Sequence, residues 1–251
     1  MKRLLLMAIA LLVTIGIGAQ NYLRVKGVKE QSEVFVKHTS YNLSFNKERL
    51  TPNYVAWCLT PDRVKGKVKR YDFFDVDPSL PSNLRVKHGD YSGSRFDRGH
   101  MCPSADNRHS QDAMVECFYM SNMCPQNHGL NTGAWNDLEI QCRDWTVDYK
   151  KIYIVAGPIY DNSSLRWIGN KSRGHRIAVP DRFFKVVLMV GKETKAIGFI
   201  YPNQNVTGEI RKFAKSVDEV EKATGFDFFS DLDDKIENRI ESVCNPGKWN
   251  L

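Results

Sequence analysis

The chain has 251 residues, 42% of them hydrophobic and 26% charged, with a formal net charge of +7. That length allows one large domain or two small ones, and the balance excludes a mostly disordered chain. A mild positive charge suits a polyanionic partner without demanding one.

Residues 1–20 read MKRLLLMAIALLVTIGIGAQ. Lys2 and Arg3 precede sixteen uncharged residues, 4–19, which close on the small residues Gly16, Gly18 and Ala19. This layout predicts a secretory leader, 1–19, cleaved near Gly18 or Ala19. The apolar run falls short of the ~18 residues a membrane span needs, so no span is expected in the mature chain. Loss of the leader lowers the net charge from +7 to +5. Residues 20–37 read as an N-terminal polar segment and 38–251 as a single domain.

The segment NYVAWCLT (53–60) mixes β-branched and aromatic residues and predicts a strand. The basic, then acidic, Pro-bounded run 61–81 predicts an exposed loop. In 133–150, Trp135, Leu138, Cys142, Trp145 and Tyr149 recur at steps of three and four. They predict a helix with one buried stripe. Glu139 and Arg143, four residues apart, lie roughly 100° round from that stripe, at its rim. Strands are predicted at 151–158, 182–190 and 195–202, the last two joined by a hairpin-like GKET turn. A Ser-x-x-Glu capping box opens a helix at 216–225, and Gly225 stops it. A last helix, 231–243, carries Leu232, Ile236, Ile240 and Val243 on one face. Strands and helices mix without regular alternation, which points to an α+β fold.

The six cysteines are Cys58, Cys102, Cys117, Cys124, Cys142 and Cys244. Export would favour disulfides; buried thiols are the alternative, and the sequence selects no pairing. The absence of any Cys-x-x-Cys pair argues against a structural zinc site. No Gly-x-Ser-x-Gly elbow, His-Glu-x-x-His, phosphate loop or dinucleotide fingerprint occurs, so the common serine hydrolases, zinc peptidases and nucleotide-binding enzymes are disfavoured.

Three clusters remain. The first is Asp97-Arg98-Gly99-His100, with Arg95 just before it. The second is SNMCPQNHGLNTGAW (121–135), with Asn122, Asn127, His128 and Asn131. The third is Glu139 with Arg143. Singly, each has a plain structural explanation: a surface ion pair, a solvated histidine, a helix cap. Together, Asp-Arg-Gly-His followed some thirty residues on by Asn-x-Gly-x-Trp-x-x-Leu-Glu resembles the DNA/RNA non-specific endonuclease family. These are the ββα-metal, or His-Me finger, nucleases, which include mitochondrial and secreted bacterial enzymes. The resemblance spans most of 38–230.

It implies an α+β, ββα-metal fold with a central antiparallel sheet flanked by helices. It also implies roles. His100 would be the general base and Asn131 the one direct protein ligand of Mg²⁺, or of Mn²⁺ in its place. Glu139 would hold a water of that ion's shell. Arg98 and Arg143 would hold phosphate, and Asn122 would shape the site beside the base. Arg70 matches a further phosphate-binding arginine with its spacing off by about two residues; Arg95 is balanced between substrate and solvent. Neither His109 nor His128 receives a role.

The chemistry suits the residue types. Neutral histidine accepts a proton near neutral pH, Mg²⁺ is a hard cation for oxygen ligands, and guanidinium binds phosphate bidentately. Gly99 is expected to turn sharply or to let backbone approach phosphate, and Asp97 to orient an arginine. The function implied is a secreted or periplasmic Mg²⁺-dependent endonuclease, cutting DNA and RNA through backbone contacts and leaving 5′ phosphates. A homodimer is allowed but not required. The competing readings are a non-catalytic nucleic-acid-binding protein on the same fold and a metal phosphodiesterase for small substrates.

Overall fold

The computed structural model describes residues 22–28, 32–161, 164–169 and 175–251. The expected leader, 1–19, lies outside the described residues. In chain order the strands are β1 Val25–Lys26, β2 Glu33–Lys37, β3 Asn42–Asn46, β4 Pro52–Leu59, β5 Asp97–His100, β6 Met123–Gln126, β7 Ile152–Ile159, β8 Arg166–Gly169, β9 Arg176–Val179, β10 Arg182–Met189, β11 Lys195–Pro202, β12 Ala214–Lys215 and β13 Asp227–Phe228. The helices are α1 Pro61–Lys65, α2 Gln111–Glu116, α3 His128–Thr132, α4 Ala134–Tyr149, α5 Val217–Thr224 and α6 Asp234–Glu241.

Seven strands form the central sheet in the order β12-β11-β10-β7-β4-β3-β2, antiparallel at every pairing. The fold is thus the expected α+β sheet-and-helix architecture. Its faces follow from the period-two pattern of strands. Val55, Trp57 and Leu59 of β4, Ile152 and Ile154 of β7, and Phe183 and Val187 of β10 bury against α4. The alternate residues Tyr54, Ala56, Val155, Phe184, Val186 and Leu188 bury on the other face, with Val217 and Val220 of α5 and Ile240 of α6. Both faces are covered, which explains why β10 reads as a near-continuous apolar run.

The predicted strands and helices fall within a few residues of the observed ones. Of the stripe residues, Trp135, Leu138, Cys142 and Trp145 are buried and Tyr149 is half-buried. The capping box is present: Ser216 Oγ accepts from Glu219 N–H at 3.1 Å, and Glu219 Oε2 accepts from Ser216 N–H at 2.8 Å. Gly225 stops α5 at φ 75°.

Four readings change. The run 61–81 is not wholly an exposed loop: it begins with α1, and Asp77 and Leu80 are buried. Asp77 accepts from Ser121 Oγ at 2.6 Å and lies 3.0 Å from His38 Nε2, so it pins the loop to the core. Val243 is 52% exposed, because α6 ends at Glu241 and the apolar face ends with it. Gly99 makes no turn; it is a strand residue paired with Cys124, and a Cβ there would collide with the Gln126 side chain. Strand β2 pairs with β3 from Glu33, so the sheet starts inside the segment read as polar. All six cysteines are free thiols, four of them buried.

Candidate active site

The two-stranded ribbon β5–β6 pairs Asp97 with Gln126 and His100 with Met123. It leads through the short helix α3 into α4, giving the ββα arrangement. Asn127 caps α3, its Oδ1 accepting from Gly129 N–H at 3.0 Å, and this places Asn131 one turn in. Beside this unit runs the loop carrying Arg70 and Phe74. A cleft of about 450 Å³ between them brings together Arg70, Arg98, His100, Asn131, Glu139 and Arg143. These side chains come from a span of seventy-odd residues, and the sequence had singled out every one.

His100 sits edge-on to Phe118 at 4.8 Å and 5.7 Å from Phe74. Its Nε2 is buried without a hydrogen-bond partner. Burial, and then the positive charge of Arg70, push its pKa down to about 3. The imidazole is therefore neutral across the physiological range, with Nδ1 the nitrogen left to meet the cleft. The same two rings carry the arginines. Arg98 lies 4.7 Å over Phe74, with its Nε buried and unpartnered, and Arg70 lies 4.8 Å over Phe118. Arg70 also donates to Ser104 Oγ at 2.5 Å and pairs with Asp72. Stacking holds guanidinium groups in place while leaving their N–H edges for an anion.

Arg143 is fixed differently. Its Nη1 lies 3.2 Å from Asp106 Oδ1, and Asp106 also accepts from Trp57 Nε1 at 3.0 Å. Glu139, one turn earlier on α4, has its pKa pushed up to about 7 by burial; Asp106 adds to the rise, and Lys185 and Arg143 oppose it. Lys185 itself is 1% exposed on β10, its Nζ 4.4 Å from the centre of the Trp135 ring.

Asn131 Nδ2 donates to Asp97 Oδ2 at 2.9 Å, and the same oxygen lies 2.9 Å from His128 Nδ1. Asp97 thus orients the asparagine and engages a histidine; no arginine forms an ion pair with it among the described residues, contrary to the expectation. With its amide NH₂ committed, Asn131 keeps its amide oxygen free of hydrogen bonds among the described residues. A neutral amide oxygen beside a carboxylate is an oxygen donor set that fits a hard divalent cation.

Asn122 is fully buried and off the cleft wall. Its Oδ1 accepts from Cys102 N–H at 2.9 Å, and its Nδ2 donates to the carbonyls of Cys102 and Cys117. It braces the turn that follows His100. Arg95 is exposed at φ 65° and does not line the cleft. Sequence reasoning gave no role to Asp106, Lys185, Phe74 or Phe118. Only Lys185 carried a signal, as the one interior charge in the apolar run FFKVVLMV.

The sequence profile of the DNA/RNA non-specific endonuclease family matches residues 19–235. The chain is 36% identical over 234 residues to a Nostoc sp. protein named nuclease, covering 88% of this chain and 78% of that one. It is 32% identical over 222 residues to mouse mitochondrial nuclease EXOG, covering 83% of this chain; that match spans 60% of the mouse protein's length. In structure it is similar to a chain from a crystal structure of an EndoG/EndoGI complex. The TM-score is 0.74 at 31% identity, over 80% of this chain and 87% of that one. On the profile match, these relatives and the shared fold, the chain belongs to the DNA/RNA non-specific endonuclease family.

Proposed function

We propose that the protein is a Mg²⁺-dependent endonuclease that hydrolyses phosphodiester bonds of DNA and RNA with little sequence preference. The observation that carries this reading is the cleft itself: an unpaired, neutral His100 faces three guanidinium groups and the oxygen pair of Asn131 and Glu139. Asn131 would hold Mg²⁺ or Mn²⁺ there directly, and Glu139 would hold a water of the ion's shell. When bound, the ion supplies positive charge for the phosphate and the departing oxygen.

Arg70, Arg98 and Arg143 bind the phosphate and set its orientation. The bound phosphate puts negative charge beside His100 and raises its basicity from the depressed value of the free enzyme. His100 Nδ1 then takes a proton from an attacking water. The new P–O bond forms as the P–O3′ bond breaks, and the departing O3′ takes a proton from solvent water, leaving a 5′ phosphate and a 3′ hydroxyl. Every contact in this scheme goes to phosphate, so base identity has little influence. Secretion or periplasmic residence after cleavage of residues 1–19 rests on the leader sequence; the mouse relative is named mitochondrial. No helix among the described residues is long and apolar enough to cross a membrane.

The test is digestion of plasmid DNA and RNA by the purified protein in Mg²⁺ or EDTA, beside His100→Ala. Cutting of both polymers in Mg²⁺ alone, reduced by about 10²–10⁴ in the variant, is the expected result. Tight, salt-sensitive binding without cutting would favour a binding protein instead. Turnover of small diesters without polymer cleavage would favour a phosphodiesterase.

A further inference from the structure

We propose that Asp218, Glu221 and Glu241 form a calcium site that ties α5 to α6, on the face of the sheet opposite the cleft. One carboxylate oxygen from each of the three lies within 4.8 Å of the others. Ligands 2.3–2.6 Å from a common Ca²⁺ stand at most about 5 Å apart, so the spacing matches one shared ion.

A second observation concerns Glu241 alone. The residue is 5% exposed, and its Oε1 is buried without any hydrogen-bond partner. A dehydrated carboxylate oxygen with no donor is rare, and it calls for a counter-charge or a proton. None of the three acids forms an ion pair with Lys, Arg or His among the described residues. Among the described residues the one hydrogen-bond donor to the group is Phe228 N–H, 2.8 Å from Glu221 Oε1. The surrounding charge is negative as well: Asp227 and Glu237 both bear on Glu241, and Lys26 is engaged with Asp227 at 3.7 Å. Glu241 is also the last residue of α6, where the free carbonyl ends add negative potential.

Burial and mutual repulsion push Glu221 up to about 7 and Glu241 up to about 9. An all-carboxylate donor set selects a hard cation. The mix of one exposed, one half-buried and one buried ligand leaves an open side for waters, which suits the irregular coordination of Ca²⁺ better than the octahedron of Mg²⁺.

The experiment is thermal unfolding of the full chain with and without CaCl₂, paired with ⁴⁵Ca equilibrium dialysis. The proteins compared are wild type, Asn131→Ala, and Asn131→Ala combined with Asp218→Asn or with Glu241→Gln. Asn131→Ala removes the ligand proposed for the cleft ion and so separates the two sites. At twenty times the Kd, calcium should raise the Tm by about 4 °C in wild type and in Asn131→Ala alike. One Ca²⁺ per chain should bind to Asn131→Ala. With Asn131→Ala as the background, both effects should vanish on adding Glu241→Gln and weaken at least tenfold in affinity on adding Asp218→Asn, whose exposed side chain makes misfolding no explanation. No calcium dependence in Asn131→Ala would overturn the site and leave Glu241 simply protonated. In that background, a rise undiminished by Glu241→Gln would overturn it too.

Discussion

Asp106, 1% exposed, holds Arg143 through a 3.2 Å contact from Nη1 to Oδ1. The pair bridges the loop after β5 and the helix α4, so the position of one cleft-lining arginine depends on a buried carboxylate. Asp106→Ala should cost about 3–5 kcal/mol of stability, because it strips a buried ion pair of one partner. It should also raise KM for polymer substrates more than Arg98→Lys does. Denaturant melts and steady-state kinetics check both.

Asp97 fixes Asn131 through its amide NH₂ at 2.9 Å. Asp97→Ala frees the asparagine to rotate and should weaken metal affinity about 10–100-fold, as loss of a ligand's supporting hydrogen bond does elsewhere. Activity titrated against Mg²⁺ should show a shifted midpoint with the plateau partly retained. An unchanged midpoint would remove Asp97 from metal binding.

Glu139 has its pKa raised to about 7 in the absence of an ion. Between its unfolded value near 4.5 and 7, the folded state binds the extra proton, so this group lowers stability progressively as pH rises through that window. The cost is absent below 4.5 and complete above 7. Glu139→Gln should therefore be inactive, yet more stable than wild type by about 2 kcal/mol at pH 8 and equal to it at pH 4. Melting in EDTA at the two pH values decides this.

His100 moves the other way, down to about 3. The unfolded state takes up a proton near pH 6.5 that the folded state refuses. Stability from this group is present above 6.5 and is lost as pH falls from there toward 3. In the free enzyme the His100 ring should stay unprotonated down to pH 5, as read by NMR. The acid limb of kcat/KM at low Mg²⁺ then belongs to Glu139, near pH 7, and saturating Mg²⁺ should move it lower.

Lys185 pulls Glu139 toward its charged form from beneath the cleft. Lys185→Met removes that charge with little change of volume. The acid limb of activity at low Mg²⁺ should rise by about one pH unit, with a loss of stability as well, since Lys185 also faces Asp106 and its removal leaves buried carboxylates without that counter-charge. A pH–rate profile unchanged from wild type would show that Lys185 serves packing alone.

The sequence by itself determined what repeats locally. The three-and-four spacing of Trp135, Leu138, Cys142 and Trp145 defined α4 and, with it, the flank that turns Glu139 and Arg143 to the cleft. Runs of β-branched and aromatic residues located β4, β7, β10 and β11, and capping chemistry located α5. The order of short motifs assembled six cleft residues. Contacts across the chain were decided only by tertiary structure. Nothing in the spacing says that Asp97 holds Asn131, that Asp106 holds Arg143, or that Asn122 braces the backbone of Cys102. Nor does it say that Arg95 stands away from the cleft, or that Asp218, Glu221 and Glu241 converge. The reason is physical. A helix or strand period is set by backbone geometry within a few residues, whereas these pairs depend on how the ribbon, the helices and the two faces of the sheet dock.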